Sequence, residues 1–449
     1  MVTVAVASLS RPPAEGQPFA PTGAFRGTIE EFDYIEEEWF ASGEVDGHAY
    51  TTSVFVRRPR DHSKFSGMVI VEPVHAASAA PVWIYTSLYQ MRSGHGWAAV
   101  CSQKSPLDGF VKASSPERYA SLEIWSDAPP LAGPLLGLPR EPAARQARMD
   151  HMRRLNALST PILAQVGAAL AAGNGPFEGF DPRHVILTGH SQTGGVVTDY
   201  IVNGHDAQRH ADGSPVYHGF FPTGAPSVQF GPRDVPIVQV LSDGDISDPN
   251  RWGREGRGYR RPDSDDPSDR YRLYELAGVS HMGTRYPPYS DIAMWQNDPI
   301  GTAGDVPKDA TMNSLPHGQL FSMGLDHLVR WVADDVAPPR ADRIESGPDG
   351  LFSKDECGNS RGGVRCAQID VPRLTYLSNP SVGEDGVPAF GVVGIEEPLE
   401  PGRLEKLYRD HADYVSRFDK RVGALVDEGW LLPADADEMR AEAAAALVP

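Results

Sequence analysis

The chain has 449 residues, of which 40% are hydrophobic and 22% charged, a composition typical of a globular protein that buries a large core. Its formal net charge of −19 argues against a general nucleic-acid binder, which would carry a basic surface. Three cysteines are too few for a disulfide framework, and no second pair indicates a metal site. Pairing of Cys357 with Cys366 is left open by the sequence.

The N-terminal residues 1–10 are mildly apolar but lack the basic segment and the long apolar run of a signal peptide. No other stretch is long and apolar enough to span a bilayer. We therefore expect a cytoplasmic protein without a membrane span. A secreted protein whose signal peptide has been removed is the alternative, and a homo-oligomer is compatible with the sequence.

The first part of the chain predicts an extended segment followed by sheet. Residues 1–24 are an extended lead-in rich in Pro, Gly and Ala. Alternating runs at 28–35 and 50–57 predict antiparallel edge strands, whereas the nearly unbroken apolar runs at 67–75 and 94–103 predict buried strands. A helix is expected between these two, at 81–92.

The middle of the chain continues the alternation of helix and strand. Apolar spacing predicts a helix over 143–172, which Pro161 should kink or restart. Further elements are expected as strands at 185–187, 217–224, 235–242 and 271–278, and as an amphipathic helix at 316–336. This order predicts an α/β fold with a mostly parallel central sheet and helices on both faces. This α/β domain would span 25–337.

Beyond residue 338 the sequence becomes rich in turns, with an extended piece at 389–393 and surface helices at 404–426 and 435–447. We expect residues 338–449 to form a C-terminal extension that packs on the α/β domain.

A candidate nucleophile lies after the apolar run at 185–187, in the segment Gly189-His-Ser-Gln-Thr193. A serine on a sharp strand-to-helix turn presents its hydroxyl above the sheet, and the N–H that follows it faces the developing oxyanion. Thr193 stands where the usual G-x-S-x-G pattern has glycine, which lets helix and strand approach closely. An ordinary turn or N-cap serine is the alternative for Ser191.

Two later strands end in groups that could activate this serine. His281 follows the strand at 271–278, and both Asp243 and Asp245 follow the strand at 235–242. The order Ser, Asp, His is that of α/β-hydrolases, in which the histidine takes the serine proton and the acid orients the histidine. The usual spacing favours Asp245 over Asp243, although each could be a solvated turn residue.

Other site residues are expected around the same turn. The oxyanion hole would combine the backbone N–H of Gln192 with one from the loop after residue 71, at Val74 or His75. His190 and Gln103 are candidate substrate-binding residues, and His190 could equally pack beside the turn. No metal ligand and no cofactor is expected.

Motifs along most of the chain resemble those of bacterial proteins described only as alpha/beta hydrolase domain-containing. The matching segments are Val71-Glu-Pro-Val-His75, Gly96-Trp-Ala-Ala-Val100, Arg118-Tyr-Ala-Ser-Leu122, Gly189-His-Ser-Gln-Thr193, Arg272-Leu-Tyr-Glu-Leu-Ala-Gly-Val-Ser-His281, Gly358-Asn-Ser-Arg-Gly-Gly-Val-Arg365 and Leu431-Leu-Pro-Ala-Asp435. The resemblance implies that the C-terminal extension belongs to the family fold. It also implies serine-dependent hydrolysis, without a particular substrate.

These observations predict a serine esterase acting on a small-molecule carboxylic ester through Ser191, His281 and Asp245. Acyl transfer or amide cleavage by the same three residues is one alternative. A binding protein on a catalytically silent hydrolase fold is the other.

Overall fold

The protein forms two compact units, and the computed structural model describes most residues of each. The described residues are 2–20, 27–76, 80–130, 142–226, 230–249, 258–285, 290–291, 293, 306–382 and 391–448. The first unit comprises Met1–Ile237, Asp266–Arg270 and Leu328–Val336, and the second comprises Val238–Asp265, Tyr271–His327 and Ala337–Pro449. Residues 338–449 thus share a unit with the strands before Asp243 and His281, and the predicted domain limits stay predictions.

The first unit is organised around a mixed sheet. Its strands are β1 (Val2–Thr3), β2 (Ser8–Ser10), β3 (Tyr34–Val45), β4 (His48–Pro59), β5 (Met68–Pro73), β6 (Gly96–Val100), β7 (His184–His190), β8 (Gln208–Arg209) and β9 (Gly219–Thr223). The sheet order is β9-β7-β5-β6-β4-β3-β2, in which the strands from β9 to β6 pair in parallel and those from β6 to β2 pair antiparallel. Strands β5, β6 and β9 are buried along their whole length, as parallel strands covered on both faces should be.

Helices connect these strands. They are α1 (Pro81–Arg92), α2 (Lys104–Pro106), α3 (Lys112–Ser114), α4 (Pro142–Leu155), α5 (Ser159–Ala171) and α6 (Gln192–Asp199), with single 3₁₀ or π turns at His62–Lys64, Leu107–Val111, Gly175–Phe177 and Tyr200–Gly204. The predicted restart near Pro161 is confirmed, because α4 ends at Leu155 and Pro161 is the third residue of α5. Proline is tolerated there, because the N–H groups of the first helical turn have no acceptor within the helix, so the N–H that proline lacks is not missed.

A buried carboxylate caps helix α1. Glu72 of β5 is fully buried and accepts the backbone N–H groups of Val82 (2.8 Å) and Trp83 (3.0 Å) and the indole N–H of Trp97 (3.2 Å). Burial raises the pKa of Glu72 from 4.5 to about 7, although the three donated hydrogen bonds oppose this rise. Glu72 therefore joins β5, β6 and α1 at the cost of burying a titratable group.

The second unit contains the remaining strands and helices. The strands are β10 (Ile237–Ser242), β11 (Ser264–Asp266), β12 (Asp269–Leu276), β13 (Thr311–Met312), β14 (Leu374–Leu377) and β15 (Ile395–Pro398). The helices are α7 (Asp243–Ile246), α8 (His317–Asp334), α9 (Ala367–Asp370), α10 (Pro401–Leu407), α11 (His411–Asp427) and α12 (Pro433–Ala445). Strands β11, β12 and β10 are neighbours in that order, and β15 pairs antiparallel with β13 and β14.

Helices α9, α11 and α12 bury an apolar core of their own. Its buried members are Ala367, Val371, Tyr408, Tyr414, Phe418, Val422, Leu425, Leu431, Ala436, Met439 and Ala443. The single helix predicted over 404–426 is wrong, because α10 ends at Leu407 and the Asp410 side chain caps α11 by accepting the Asp413 N–H at 2.8 Å.

Two further sequence predictions differ from the structure. The strand predicted over 28–35 is wrong for most of its length: residues 29–33 form turns, with Asp33 at φ 55°, and β3 begins at Tyr34. For the extended piece predicted at 389–393, residues 389–390 lie outside the described residues, and the strand of this region is β15. Cys101, Cys357 and Cys366 are buried and free, so Cys357 and Cys366 are not paired.

Within the described residues, a single helix that could cross a membrane is not found. One bent pair of helical segments, Ala143–Leu155 with Ser159–Phe177, passes on length and composition alone.

Candidate active site

Ser191 occupies the turn between β7 and α6 in a conformation that side chains rarely adopt. Its backbone has φ 58° and ψ −118°, and its N–H donates to the Thr223 carbonyl of β9 at 2.9 Å. A non-glycine residue held in such a region costs about 1–3 kcal/mol and persists only where the surroundings enforce it. The turn therefore stores strain at the residue that the sequence predicted as nucleophile.

Two glycines make this turn possible. A Cβ on Gly189 would overlap the Thr193 carbonyl oxygen, and a Cβ on Gly194 would overlap the Thr223 carbonyl oxygen. A Cβ on Gly195 would meet no atom within 4 Å. The close approach of α6 to the sheet thus depends on Gly189, which is the first glycine of the usual pattern, and on Gly194, which follows Thr193.

Thr193 closes the turn through its hydroxyl. This side chain is fully buried, accepts the His190 N–H at 3.0 Å and donates to the His190 carbonyl at 2.9 Å. The departure from glycine at this position is accommodated because Gly194 takes over the contact with β9. Threonine adds two hydrogen bonds that glycine could not make.

Gln192 links the serine turn to the loop after β5. Its side-chain oxygen accepts the Ala76 N–H at 3.3 Å, and its amide donates to the Gln103 side-chain oxygen at 2.6 Å. As the first residue of α6, Gln192 has no acceptor for its backbone N–H within the helix, and none is recorded for it elsewhere in the described part of the chain. This N–H is a candidate oxyanion donor.

The prediction of Val74 as an oxyanion donor is corrected by the structure. The Val74 N–H donates to the Val100 carbonyl at 2.9 Å, as an extension of the pairing between β5 and β6. A donor already bound inside the sheet does not stabilise a substrate oxyanion. His75, the other predicted donor, follows directly and is 9% exposed.

The two predicted substrate-binding residues have their hydrogen-bonding groups directed into the protein. The His190 ring is fully buried, its Nδ1 lies 2.9 Å from the Thr223 hydroxyl, and it packs edge-on against Tyr85. Gln103 is 1% exposed, and its amide donates to the Val74 carbonyl (3.3 Å) and to Gln192 (3.4 Å). His190 therefore packs beside the turn, and Gln103 supports the loop after β5.

In the second unit, His281 and Asp245 form a hydrogen-bonded pair. His281 Nδ1 bonds to Asp245 Oδ1, and both side chains are almost completely buried. Asp245 is itself held by a capping box at the start of α7: its Oδ2 accepts the Ser242 N–H at 2.7 Å, and its N–H donates to the Ser242 hydroxyl at 3.2 Å. Because a carboxylate only accepts, the proton of a neutral His281 ring lies on Nδ1, which leaves Nε2 as its basic nitrogen.

Asp243, the alternative acid, points to other partners. Its carboxylate accepts the Gly278 N–H at 3.1 Å, the Ser378 hydroxyl at 2.6 Å and the Ser360 hydroxyl. Between the two aspartates, Gly244 leaves no room for a side chain, because a Cβ there would lie 2.9 Å from the backbone nitrogen of His281. Two neighbouring acids thus have separate environments: Asp245 faces the histidine, and Asp243 ties α7 to the strand end and to the C-terminal extension.

The extension braces this region through residues of a motif noted in the sequence. Within Gly358–Arg365, Ser360 bonds to Asp243, and Val364 pairs with the end of β12 through the carbonyl of Glu275 (2.7 Å) and the N–H of Ala277 (3.0 Å). A second contact joins the Met282 N–H, one residue after His281, to the Val392 carbonyl at 2.7 Å. Residues far along the chain therefore fix the loops that carry the acid and the histidine.

His317, the first residue of α8, is a buried residue of this site that the sequence reasoning missed. It is 3% exposed and stacks on Phe321 with ring centroids 4.3 Å apart. Burial lowers the pKa of His317 to about 3, while the charges of Asp245 and His281 act on it in opposite directions. Its position four residues before Phe321, on the apolar face of the predicted helix, is the sequence signal from which its burial could have been predicted.

A cluster of side chains that could bind a metal ion instead surrounds the guanidinium of Arg209. His205, Asp206 and Asp234 have ligand atoms close together, but the Arg209 guanidinium lies among them, 2.9 Å and 3.0 Å from the two Asp234 oxygens and 3.0 Å from Asp206. Burial would raise the pKa of Asp234, yet the hydrogen bonds from Arg209 and His205 hold it at about 2. This cluster is an ion-pair network of the first unit.

A strained serine between a parallel strand and a helix, together with an aspartate–histidine pair at later strand ends, defines the class of α/β hydrolases. The chain belongs to the family described as alpha/beta hydrolase domain, whose model matches residues 9–441. The predicted α/β-hydrolase fold is thereby confirmed, and the match includes the C-terminal extension. No curated protein matches the sequence.

Solved structures with distant similarity include several hydrolases. A dienelactone hydrolase from Anabaena variabilis is 12% identical, with 58% of this chain and 95% of that chain covered and a TM-score of 0.31. Acetyl xylan esterase 1 from Thermoanaerobacterium is 9% identical, covering 64% and 86%, with a TM-score of 0.35. A cold-adapted esterase from an Arctic intertidal metagenomic library is 14% identical, covering 57% and 88%, with a TM-score of 0.30.

Proposed function

We propose that the protein is a serine esterase that hydrolyses a small-molecule carboxylic ester. The observation that carries the proposal is the strained backbone of Ser191 at the β7–α6 turn. Strain of this kind clusters at functional sites, where a fold gains from holding a side chain in an unfavourable conformation. A structural serine could occupy an ordinary turn without this cost.

In this proposal the Ser191 hydroxyl oxygen attacks the ester carbonyl carbon while His281 Nε2 takes its proton. Asp245, bound to His281 Nδ1, keeps the ring in the tautomer that leaves Nε2 basic and stabilises the imidazolium. The negative charge on the carbonyl oxygen would be met by the Gln192 and His75 N–H groups. The C–O bond then breaks, and the alcohol leaves with the proton from His281.

The acyl group on Ser191 is next removed by water. His281 takes a proton from the attacking water, the carboxylic acid departs, and the serine oxygen regains the proton through the same histidine. Each step is a proton transfer or an acyl transfer among this chain's side chains, the ester and water.

The test is hydrolysis of p-nitrophenyl esters of increasing acyl chain length by the wild type and by Ser191→Ala. We expect measurable hydrolysis that Ser191→Ala abolishes. Release of acid into water, compared with transfer to added alcohols or amines, separates an esterase from an acyltransferase, and cleavage of matched anilides reports amidase activity. A folded wild type that cleaves none of these substrates would contradict the proposal.

A further inference from the structure

The second unit contains a cavity, open to solvent on one side, that none of the proposed catalytic residues lines. Its volume is about 360 Å³, within the range of small-molecule sites. Its lining includes Arg285, Gln368, Arg373, Tyr414, Phe418 and Glu442. Helices α11 and α12 of the C-terminal extension therefore form much of its wall.

The charges around this cavity do not balance. Arg285 is paired with Glu442 of α12 and lies 3.7 Å from Glu438. The half-buried Arg373, in contrast, has no carboxylate of the described residues within ion-pair distance. One positive charge is thus left over among the ionised side chains that line the cavity, and a half-buried cation without a counter-charge is unfavourable.

Hydrogen-bonding groups accompany this charge. The Arg373 guanidinium is close enough to the Tyr414 hydroxyl for its positive charge to oppose the rise in the pKa of Tyr414 that burial causes. Gln368 contributes a side chain whose two amide atoms are shut off from solvent and have no hydrogen-bond partner in the described part of the chain. An unpaired buried amide is unfavourable, so a ligand in the cavity that formed a hydrogen bond with it would be stabilised.

The other side of the cavity is apolar. Phe418 and Ala443 belong to the core of the C-terminal helices, and Val371 lies beside them. A ligand that satisfies both sides carries one negative charge and an apolar body. The Arg fork favours a planar carboxylate over a point charge, since it binds two oxygens at once.

We propose that this cavity is a binding site for a small monocarboxylate with an aromatic ring or short alkyl chain, separate from the catalytic residues. The carboxylate pairs with Arg373, and the apolar body packs against Phe418 and Val371. Because Arg285, which also lines the cavity, lies four residues after His281, an occupant would contact the segment that carries the proposed catalytic base.

The test is calorimetric titration of the full chain with benzoate, with neutral benzamide as the matched control ligand. We expect saturable benzoate binding, none for benzamide, and affinity about tenfold or more weaker for Arg373→Gln. Arg361→Gln, which removes an exposed arginine of the same unit that does not line the cavity, should bind as the wild type does.

A second pair of variants tests whether benzoate binds in this cavity even if Arg373→Gln folds poorly. Ala445 is an exposed residue of α12 that lines the cavity, so Ala445→Phe should block it, whereas Ala441→Phe lies on the same helix outside the lining. Benzoate binding lost in Ala445→Phe and kept in Ala441→Phe supports the site. Binding that survives both Arg373→Gln and Ala445→Phe, or no binding to the wild type up to about 10 mM benzoate, overturns it. None of these outcomes depends on esterase activity.

Discussion

Asp243 and Asp245 lie two residues apart on the same short helix. Replacing Asp245 by asparagine should lower kcat, whereas replacing Asp243 by asparagine should lower stability. In Asp245→Asn, the rigid Ser242 N–H retains the amide oxygen, so the new NH₂ group faces His281 Nδ1. The ring then accepts at Nδ1 and carries its proton on Nε2, which is the wrong tautomer for taking a proton from serine. A loss of this kind lowers kcat by about 10³- to 10⁴-fold.

In Asp243→Asn, the altered partners are structural. The amide oxygen can still accept the Gly278 N–H, and the Ser378 hydroxyl can rotate to accept from the new NH₂ group. What is lost is the negative charge that strengthens these hydrogen bonds, and we expect the free energy of unfolding to fall by about 1–3 kcal/mol. The kcat value should stay within about tenfold of the wild type, because the Asp245–His281 pair is untouched.

The assay combines initial rates on the best p-nitrophenyl ester with urea unfolding of the same preparations. Asp245→Asn is expected to unfold near the wild-type midpoint with very low kcat, and Asp243→Asn to unfold earlier with most of its kcat. The reasoning is refuted if Asp243→Asn loses as much kcat as Asp245→Asn while it keeps the wild-type midpoint.

Two other predictions concern stability. Gly194→Ala should lower the unfolding temperature, because its Cβ would overlap the Thr223 carbonyl oxygen. Gly195→Ala should be neutral or should stabilise the protein by up to about 1 kcal/mol, because its Cβ would meet no atom within 4 Å and alanine favours the helix. Equal unfolding temperatures for the two variants would contradict this steric argument. For Glu72, whose pKa rises on folding from 4.5 to about 7, stability is lost as the pH rises through this interval, by roughly 3 kcal/mol in all. Urea unfolding at pH 5 and pH 8 should therefore show a steeper loss for the wild type than for Glu72→Gln, and parallel losses would count against the argument.

Much of the fold was predictable because local pattern and tertiary structure agree. The buried strands β5, β6 and β7 are apolar runs bounded by turn residues, and the predicted helix at 81–92 coincides with α1. The break before α11 was not predicted, because the spacing of apolar residues continues across it while the capping role of Asp410 depends on the fold.

At the candidate site, residue type and order predicted Ser191, Asp245 and His281 as catalytic residues, but their hydrogen-bond partners could not be predicted from the sequence. Val74 and His75 are equivalent as backbone donors in a sequence, and only the pairing with β6 shows that the Val74 N–H is engaged. The sequence likewise could not show that Asp243 faces serines more than 100 residues away, since such contacts leave no local pattern.

The most direct test of the central claim is covalent labelling by a fluorophosphonate, followed by peptide mass spectrometry. The account predicts one labelled residue, Ser191, with labelling abolished in Ser191→Ala and kept in Ser102→Ala. Ser102 is a suitable control because it also follows a buried strand, while its hydroxyl is hydrogen-bonded to that of Ser159 at 2.9 Å. A folded wild type that remains unlabelled, or labelling that persists in Ser191→Ala, would contradict the assignment of Ser191 as the nucleophile.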